Sequence, residues 1–359
     1  MQERLFYRAE VVSRSALNRG MVRIVIGGDG LYDYASTGIA DEFARLYFPD
    51  PETGSVGHPD LPASISPATA TGRYHSEVYT IRAFCPVKSE IVIDFVVHEG
   101  GKASEWAQNA QSGGSLVLTS PHGLYLPPSP GGRQLALCDA TGLPALARIL
   151  ETLPEDAHCL AIVEIADPSH RYDLRSPGRL ETIWLEGGNG VSPSRLAAAL
   201  RALPQDTLPY YVWMAGEQKA ARAVRRHLRQ HWRLPAEKYA VVGYWIENRE
   251  KWMAAWDGIE PALKQRIDAA WASGRDRDGR GGDISVAGEP CVRNDRDRRA
   301  SLTGGVAGIS GARHASGARH GARRHQGLVQ AIAACDGPLG GAPSGRSRSG
   351  LARRERTAL

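Results

Sequence analysis

The chain of 359 residues is long enough for two domains and an appendage, and its formal net charge is +5. Its five cysteines show no CxxC or zinc-type spacing, which argues against a disulfide framework and a structural metal site. It contains neither an apolar run of about 18 residues nor an apolar leader after Met1, so the sequence predicts a cytoplasmic protein without a membrane span.

Residues 1–127 are predicted to form a β-rich domain. Short apolar runs alternate with turns from RAEVVSRSALNRGMVRIVIGG through FARLYF, VYTIRAF, EIVIDFVVH and GSLVLTS. Several short strands in succession favour an antiparallel sheet or a closed barrel. The stretch from Pro49 to Thr71 is rich in Pro, Gly and Ser, and it is a predicted surface loop.

After a linker from Pro127 to Gly132 the pattern changes to alternating strands and helices. The predicted strands are QLALCDA, CLAIVEIA, ETIWLEG, YYVWMAG and KYAVVGYW. The predicted helices are LPALARILETL, PSRLAAALRAL and KAARAVRRHLRQHW. This alternation is typical of a parallel sheet with helices on both faces, so we expect an α/β domain over residues 132–248.

The remaining residues divide into a predicted helix over 249–272 and a predicted disordered, low-complexity tail over 273–359. The tail has no aromatic residue and no Lys but 16 Arg, and its net charge is +8 whereas the residues before it carry −3. Such a segment cannot bury enough apolar area to offset its ordering entropy. Its Arg-, Gly- and Ala-dominated composition also resembles the translation of a GC-rich gene in a shifted frame.

The segment from Glu90 to Trp106, EIVIDFVVHEGGKASEW, combines a strand, a small-residue loop and a helix start. Gly100 and Gly101 let the backbone approach a ligand closely, and Ser104 is a candidate helix N-cap. Because a helix N-terminus offers free N–H groups, this segment is a candidate diphosphate site. The alternative is a hairpin followed by an ordinary helix.

Two turns in the second half follow predicted parallel strands, at the edge where open α/β sheets bind ligands. The turn CDATGLPA contains Asp139 and Thr141, and the turn AGE contains Gly216 and Glu217. Gly216 permits close approach of a dinucleotide, whereas Thr141 alone is also explained as a helix N-cap. The turn Gly187–Gly190 lacks GxGxxG spacing and is predicted to be a simple turn.

Six motifs in one order resemble the siderophore-interacting protein family. They are YTIR, IDFVVHEGGKASEWA, SPHG, CDATGLPAL, VWMAGE and GYW, and the resemblance covers residues from about Leu5 to Trp245. That family consists of flavin-dependent ferric-siderophore reductases related to the ferredoxin reductases. The resemblance implies an FAD-binding antiparallel β-barrel over residues 1–127 and an NAD(P)H-binding parallel α/β domain over residues 132–248.

The resemblance also implies roles for individual residues. Tyr79 is expected to stack on the isoalloxazine and Thr80 to lie near the ring edge, with Tyr244 and Trp245 beside the flavin. A second flavin segment corresponds to His98, Gly100, Gly101, Ala103, Ser104 and Trp106. The nucleotide domain contributes Asp139, Thr141, Gly216 and Glu217.

The sequence departs from the family pattern at several positions. Glu77 stands where the family usually has an Arg that grips the FAD diphosphate, and a carboxylate there is repulsive by roughly 1 kcal/mol at 4 Å in water. Arg82, or Arg73 upstream, is the candidate for the missing cation. Ala140 replaces an acidic residue, and Ile246 replaces a basic one. Flavin affinity is the property that Glu77 affects most directly.

The sequence therefore predicts a reductase that passes electrons from NADPH or NADH through FAD to a ferric siderophore and releases ferrous iron. The scheme requires no catalytic side chain and no protein metal ligand. One alternative is a general flavin electron transferase that serves ferredoxin, and another is a non-enzymatic siderophore-binding protein. A monomer without a membrane partner is expected. Nucleic-acid binding by the tail is disfavoured because the tail has no aromatic stacking residue.

Overall fold

The computed structural model describes residues 6–57, 75–129, 131–204, 209 and 211–248, with a few isolated positions between 258 and 265. Within these residues the chain forms two sheets, which fall within one compact unit. None of the described helices is long and apolar enough to cross a bilayer. The predicted tail over 273–359, and nearly all of the predicted helix over 249–272, lie outside the described residues.

The first sheet is antiparallel and has the strand order β4-β3-β7-β1-β2-β6-β5. Its edge strands β4 and β5 are joined by Ile81 and Arg82 alone, so the sheet curls until its two edges approach each other. The strands are β1 (Phe6–Asn18), β2 (Met21–Gly27), β3 (Phe43–Phe48), β4 (His75–Thr80), β5 (Ala83–Cys85), β6 (Glu90–Val96) and β7 (Ser115–Thr119).

The interior of this curled sheet is filled by alternate residues of its strands, because side chains of a strand point to opposite faces in turn. Ile91, Ile93 and Phe95 of β6 are fully buried in this core. Helix α1 (Lys102–Asn109) lies against it and buries Ala103 and Ala107. The predicted antiparallel barrel is thereby confirmed.

The second sheet is parallel and has the order β10-β9-β8-β11-β12. The order reverses direction at β8, and ligands of such sheets bind where this reversal opens a crevice at the carboxyl ends of the strands. The elements are β8 (Arg133–Cys138), α2 (Leu143–Glu151), β9 (His158–Ile165), β10 (Arg179–Glu186), α3 (Leu196–Ala202), β11 (Tyr211–Glu217), α4 (Gln218–Gln230) and β12 (Tyr239–Trp245). The predicted α/β fold class is confirmed.

The buried carboxylate of Asp41 joins the two sheets. Its Oδ1 accepts from the N–H groups of Leu124 and Tyr125 at 2.7 and 2.8 Å, and its Oδ2 accepts from Trp213 Nε1 at 3.2 Å. Burial raises the pKa of Asp41, and these three donors oppose that rise. Because Trp213 belongs to β11, the contact holds the second sheet against the loop before β3.

Candidate cofactor-binding site

A small pocket lies where the two sheets meet, and it is lined by Phe43, Val78, Tyr79, Thr80 and Tyr244. The buried Thr80, at the end of β4, is hydrogen-bonded to the hydroxyl of Tyr244 on β12. Burial raises the pKa of Tyr244, so its hydroxyl stays protonated at neutral pH. One wall of the pocket therefore comes from the first sheet and the opposite wall from the last strand of the second.

Tyr79 lies between this pocket and the core of the first sheet. Its ring centroid is 4.3 Å from that of Phe95 and 6.3 Å from that of Phe48. Trp106 belongs to the same aromatic cluster, with its centroid 5.1 Å from that of Phe48. Burial raises the pKa of Tyr79, and the nearby carboxylate of Glu77 raises it further. The stacking of Tyr79 on a flavin remains a prediction.

The predicted N-cap role of Ser104 is wrong. The chain turns earlier, at Gly100 (φ +74°), so that α1 begins at Lys102 with Gly101 at the N-cap position. The buried Ser104 hydroxyl instead bonds to the end of the preceding strand, where it accepts from the N–H of His98 and donates to its carbonyl, both at 3.0 Å. Because Gly101 has no side chain to cap the helix, the first N–H groups of α1 are left for a ligand.

His98 lies directly over the start of this helix. A Cβ on Gly101 would be 2.1 Å from His98 Cε1, so the exposed imidazole would have to turn away to admit a larger residue at position 101. Ala103 is buried against the core and can offer a ligand only its backbone N–H. The structure thus brings the predicted second flavin segment, His98 to Ser104, into one turn.

The charged residues near β4 differ from expectation. Glu77 Oε1 lies 3.7 Å from Nε2 of His75 on the same strand. Arg82 is engaged by residues that flank the second sheet, because its Nη1 donates to Oε2 of Glu151 on α2 at 2.9 Å and its Nε donates to the hydroxyl of Tyr172, between β9 and β10, at 3.1 Å. This arrangement gives no support to a role for Arg82 at a diphosphate. The other predicted cation, at position 73, lies outside the described residues.

Asp139 is the centre of the crevice at the carboxyl ends of the parallel strands. Its Oδ1 accepts from the N–H and hydroxyl of Thr141 at 2.9 and 2.6 Å. Its Oδ2 accepts from the Glu217 N–H at 2.8 Å and from Trp245 Nε1 at 2.7 Å. Burial raises the pKa of Asp139, and these bonds oppose that rise. One carboxylate therefore holds together the ends of β8, β11 and β12.

Gly216 and Glu217 serve this crevice through the backbone. A Cβ on Gly216 would lie 2.6 Å from Asp139 Oδ2, so glycine is required for the close approach of β11 to that carboxylate. The Glu217 carboxylate caps α4 by accepting from the N–H groups of Lys219 and Ala220. Direct contacts of either residue with a nucleotide remain predictions.

The turn Gly187–Gly190, predicted to be a simple turn, lies in the same crevice. Asn189 Oδ1 accepts from the Ala140 N–H at 3.0 Å, and its Nδ2 donates to the Glu164 carbonyl at 3.1 Å. A Cβ on Gly190 would be 4.0 Å from the Trp245 ring. The sequence feature that could have indicated this role of the turn is an Asn among glycines at a strand end, since Asn tolerates the observed φ of +54° better than most residues.

These residues fit a flavin, with one exception. The pocket offers an aromatic and hydroxyl-bearing wall, and the start of α1 offers N–H groups beside a glycine whose Cβ position is open space, at Gly100. The exception is the carboxylate of Glu77 on β4, because a carboxylate repels the diphosphate of FAD. A curled antiparallel sheet, a parallel α/β sheet and a pocket between them define the class of two-domain flavin-dependent oxidoreductases.

Comparison with known proteins defines the family within this class. A siderophore-interacting FAD-binding domain matches residues 10–125, and a siderophore-interacting protein domain matches residues 132–248. The NADPH-dependent ferric-chelate reductase of Escherichia coli (strain K12) is 31% identical over 249 residues, which are 67% of this chain and 92% of the relative. The chain belongs to the siderophore-interacting protein family.

Two further relatives are similar over most of their length. The ferric vibriobactin reductase of Vibrio cholerae is 26% identical over 255 residues, which are 69% of this chain and 93% of the relative. The crystal structure of a siderophore utilization protein from T. fusca shares 32% identity and a TM-score of 0.58, over 69% of this chain and 95% of that chain. Both sheets of the present fold thus have counterparts in a solved member of the family.

Proposed function

We propose that the chain is an FAD-dependent reductase that passes electrons from NADPH or NADH to a ferric siderophore and releases ferrous iron. The pocket shared by Thr80 and Tyr244 carries this proposal, because it lies between the flavin-binding sheet and the last strand of the nucleotide-binding sheet. Tyr244 is followed by Trp245, which is bonded to Asp139 in the crevice. A flavin ring lying against this pocket and a nucleotide in the crevice would therefore be neighbours.

Each group of residues has a separate task in this reaction. When bound, FAD accepts two electrons from a nicotinamide nucleotide and passes them one at a time to ferric iron. Thr80 and Tyr244 orient the ring edge and exclude water from it. The N–H groups at Gly101 and the first turn of α1 hold the diphosphate. Asp139 keeps the strand ends in the arrangement that receives the nucleotide.

The names of relatives support the donor and the acceptor. The Escherichia coli relative is named for NADPH dependence and ferric chelates, and the Vibrio cholerae relative is named for ferric vibriobactin. We therefore propose NADPH as the donor and an anionic iron chelate as the acceptor. Ferrous iron binds hard anionic oxygen ligands less tightly than ferric iron does, so reduction releases the metal. A monomer that acts in the cytoplasm remains the prediction from the sequence.

The test begins with the full-length chain and added FAD. We expect saturable binding in a flavin-fluorescence titration, anaerobic bleaching of the bound flavin by NADPH, and ferrous iron trapped by a colorimetric chelator when a ferric catecholate or hydroxamate is added. NADH and a ferredoxin serve as comparison donor and acceptor. Absence of FAD binding would leave only a siderophore-binding protein, and turnover with ferredoxin but not with ferric chelates would identify a general electron transferase.

A further inference from the structure

Ile81 and Arg82, which join the edge strands of the first sheet, also contact helix α2 of the second half of the fold. Ile81 is fully buried, its N–H donates to the Glu42 carbonyl at 2.8 Å, and its carbonyl accepts from Nη1 of Arg148 on α2 at 2.6 Å. Arg82 follows it. Because Thr80 of the pocket immediately precedes Ile81, a shift of this crossing would move the pocket wall.

Arg82 forms a two-pronged pair with the last residue of α2. Nη1 donates to Glu151 Oε2 at 2.9 Å, and Nη2 donates to Oε1. The Arg82 side chain is 13% exposed, and that of Glu151 is 45% exposed. A bidentate pair sets distance and angle together, whereas a single exposed ion pair does not. Because the Arg82 guanidinium is mostly buried, removal of the Glu151 carboxylate would leave a buried charge without its partner and would destabilise this contact.

A second contact extends this pair into the core of the first sheet. The Tyr172 hydroxyl accepts from Arg82 Nε at 3.1 Å and from Arg23 Nη2 at 2.9 Å, and it donates to Asp94 Oδ2 at 2.6 Å. The Asp94 side chain is fully buried and accepts a second, bidentate pair from Arg23. Burial raises the pKa of Tyr172 to about 12, so the hydroxyl remains a donor at neutral pH. Arg82 is therefore one node of a continuous polar network between the sheets.

Helix α2 relates this network to the nucleotide crevice. It begins at Leu143, directly after the turn of Asp139 and Thr141, and ends at Glu151. Nine residues at about 1.5 Å each span roughly 13 Å. Most of the helix is buried in close-packed surroundings, so it moves as a rigid unit if it moves at all. The position of Glu151 is therefore tied to that of Asp139.

We propose that Arg82 is a positioning residue: by holding Glu151 and Tyr172 it sets the separation between the pocket wall at Thr80 and the crevice at Asp139, and thereby the rate at which NAD(P)H reduces the flavin. This inference rests on the proposed function. In that reduction a C–H bond of the dihydronicotinamide breaks, an N–H bond of the flavin ring forms, and two electrons move with the hydrogen, so no further reductant is required.

The experiment uses the full-length chain and compares Arg82→Ala, Arg82→Lys and the charge-exchanged pair Arg82→Glu with Glu151→Arg. For each, FAD affinity is measured by fluorescence titration and flavin reduction by anaerobic stopped flow at saturating NADPH. Misplacement of reacting groups by about 1 Å lowers rates by up to about a hundredfold, so we expect at least about a tenfold loss in Arg82→Ala with FAD affinity retained. The exchanged pair should recover part of the rate.

A readout independent of turnover is amide hydrogen exchange of the chain without cofactor. Arg82→Ala should speed exchange at Ile81 and leave strand β9 unchanged. Arg179→Ala is the matched control, because it breaks an ion pair with Glu181 in which the arginine side chain is 58% exposed and lies on β10. It should alter neither the reduction rate nor exchange at Ile81.

The outcomes separate this inference from the function on which it rests. A reduction rate unchanged in Arg82→Ala, with the wild type active, overturns the positioning role alone. Loss of FAD affinity in parallel with the rate also overturns it, because that result identifies Arg82 as a cofactor ligand. If the wild type binds FAD but neither NADPH nor NADH reduces it, the proposed function fails and the positioning role fails with it.

Discussion

Two buried carboxylates, Asp139 and Asp41, hold together the backbone segments around the candidate site. Asp139 accepts from four donors contributed by Thr141, Glu217 and Trp245, and Asp41 accepts from three donors across the two sheets. A buried carboxylate is tolerated only when such donors satisfy it, so each one specifies the position of several backbone segments. Glu77 is a contrasting case, because it is only half-buried on β4 and its Oε1 lies 3.7 Å from Nε2 of His75.

Replacement of Glu77 by arginine is expected to tighten FAD binding. The change removes a repulsion of roughly 1 kcal/mol and adds a charge-assisted contact with the diphosphate, which together correspond to about a tenfold lower Kd. Fluorescence titration of FAD measures the effect. Glu10→Arg, the same charge change at an exposed position of β1, is the control and should leave the Kd unchanged. An unchanged or weaker affinity in Glu77→Arg would mean that Glu77 points away from the diphosphate.

Among the secondary-structure elements, α4 carries a histidine, His227, whose two ring nitrogens are buried. Neither ring nitrogen of His227 finds a hydrogen-bond partner among the described residues. Its ring stacks on His231 with centroids 4.9 Å apart and meets Trp232 edge-on at 5.4 Å. Burial lowers the pKa of His227, and the charges of His231 and Arg201 lower it further. Protonation of this ring therefore opposes the packing at the end of α4.

This packing predicts a loss of stability in acid. Because the pKa of His227 is lower in the folded state than its ordinary value near 6.5, the unfolded chain binds the proton first as the pH falls. The free energy of unfolding, measured with urea, should therefore decrease below about pH 6.5. His227→Phe should flatten this dependence, whereas His231→Gln should preserve most of it, because burial, the larger cause of the lowered pKa of His227, remains. An equally steep decrease in His227→Phe would assign the acid sensitivity to other groups.

Over the whole molecule, the cofactor motifs occupy the first two thirds of the chain. The two matched family domains end at residue 248, after the last strand of the parallel sheet. The division into domains at 1–127 and 132–248 remains a prediction. So do the helix over 249–272 and the disordered tail, whose net charge of +8 contrasts with the −3 of the residues before it.

Removal of residues 273–359 is expected to leave FAD binding, NADPH oxidation and the melting temperature nearly unchanged. The reason is that every predicted flavin and nucleotide residue lies before the removed segment, which lacks aromatic side chains for a core. Calorimetry and the FAD titration measure the result. A cut after Asn248 is the comparison, and it should lower the melting temperature because the predicted helix carries Trp252, Trp256 and Trp271 for packing. A fall of several degrees from the shorter deletion would show that the tail contributes to the folded body.

Local pattern was sufficient for the fold class and for the strand-end position of several candidate site residues. Alternation with period two in EIVIDFVVH and helical periodicity in LPALARILETL depend on neighbours along the chain, so they can be interpreted without the tertiary structure. The strand-end location of Asp139 and Gly216 follows from the same pattern, because parallel strands have their carboxyl ends at one edge. The sequence by itself therefore determined an antiparallel sheet, a parallel α/β sheet and the turns at the ends of the strands, and the family resemblance linked them to a flavin.

Only the tertiary structure decided how distant side chains pair. Arg82 meets Glu151 across 69 positions, and Trp245 meets Asp139 across 106, so neither pair leaves a periodic signal in the sequence. Ser104 forms bonds with a strand end instead of capping the helix, and Asn189 reaches the crevice because β10 runs parallel to β9 and β8. Such contacts follow from sheet order and packing geometry, which arise only when every element has found its neighbours.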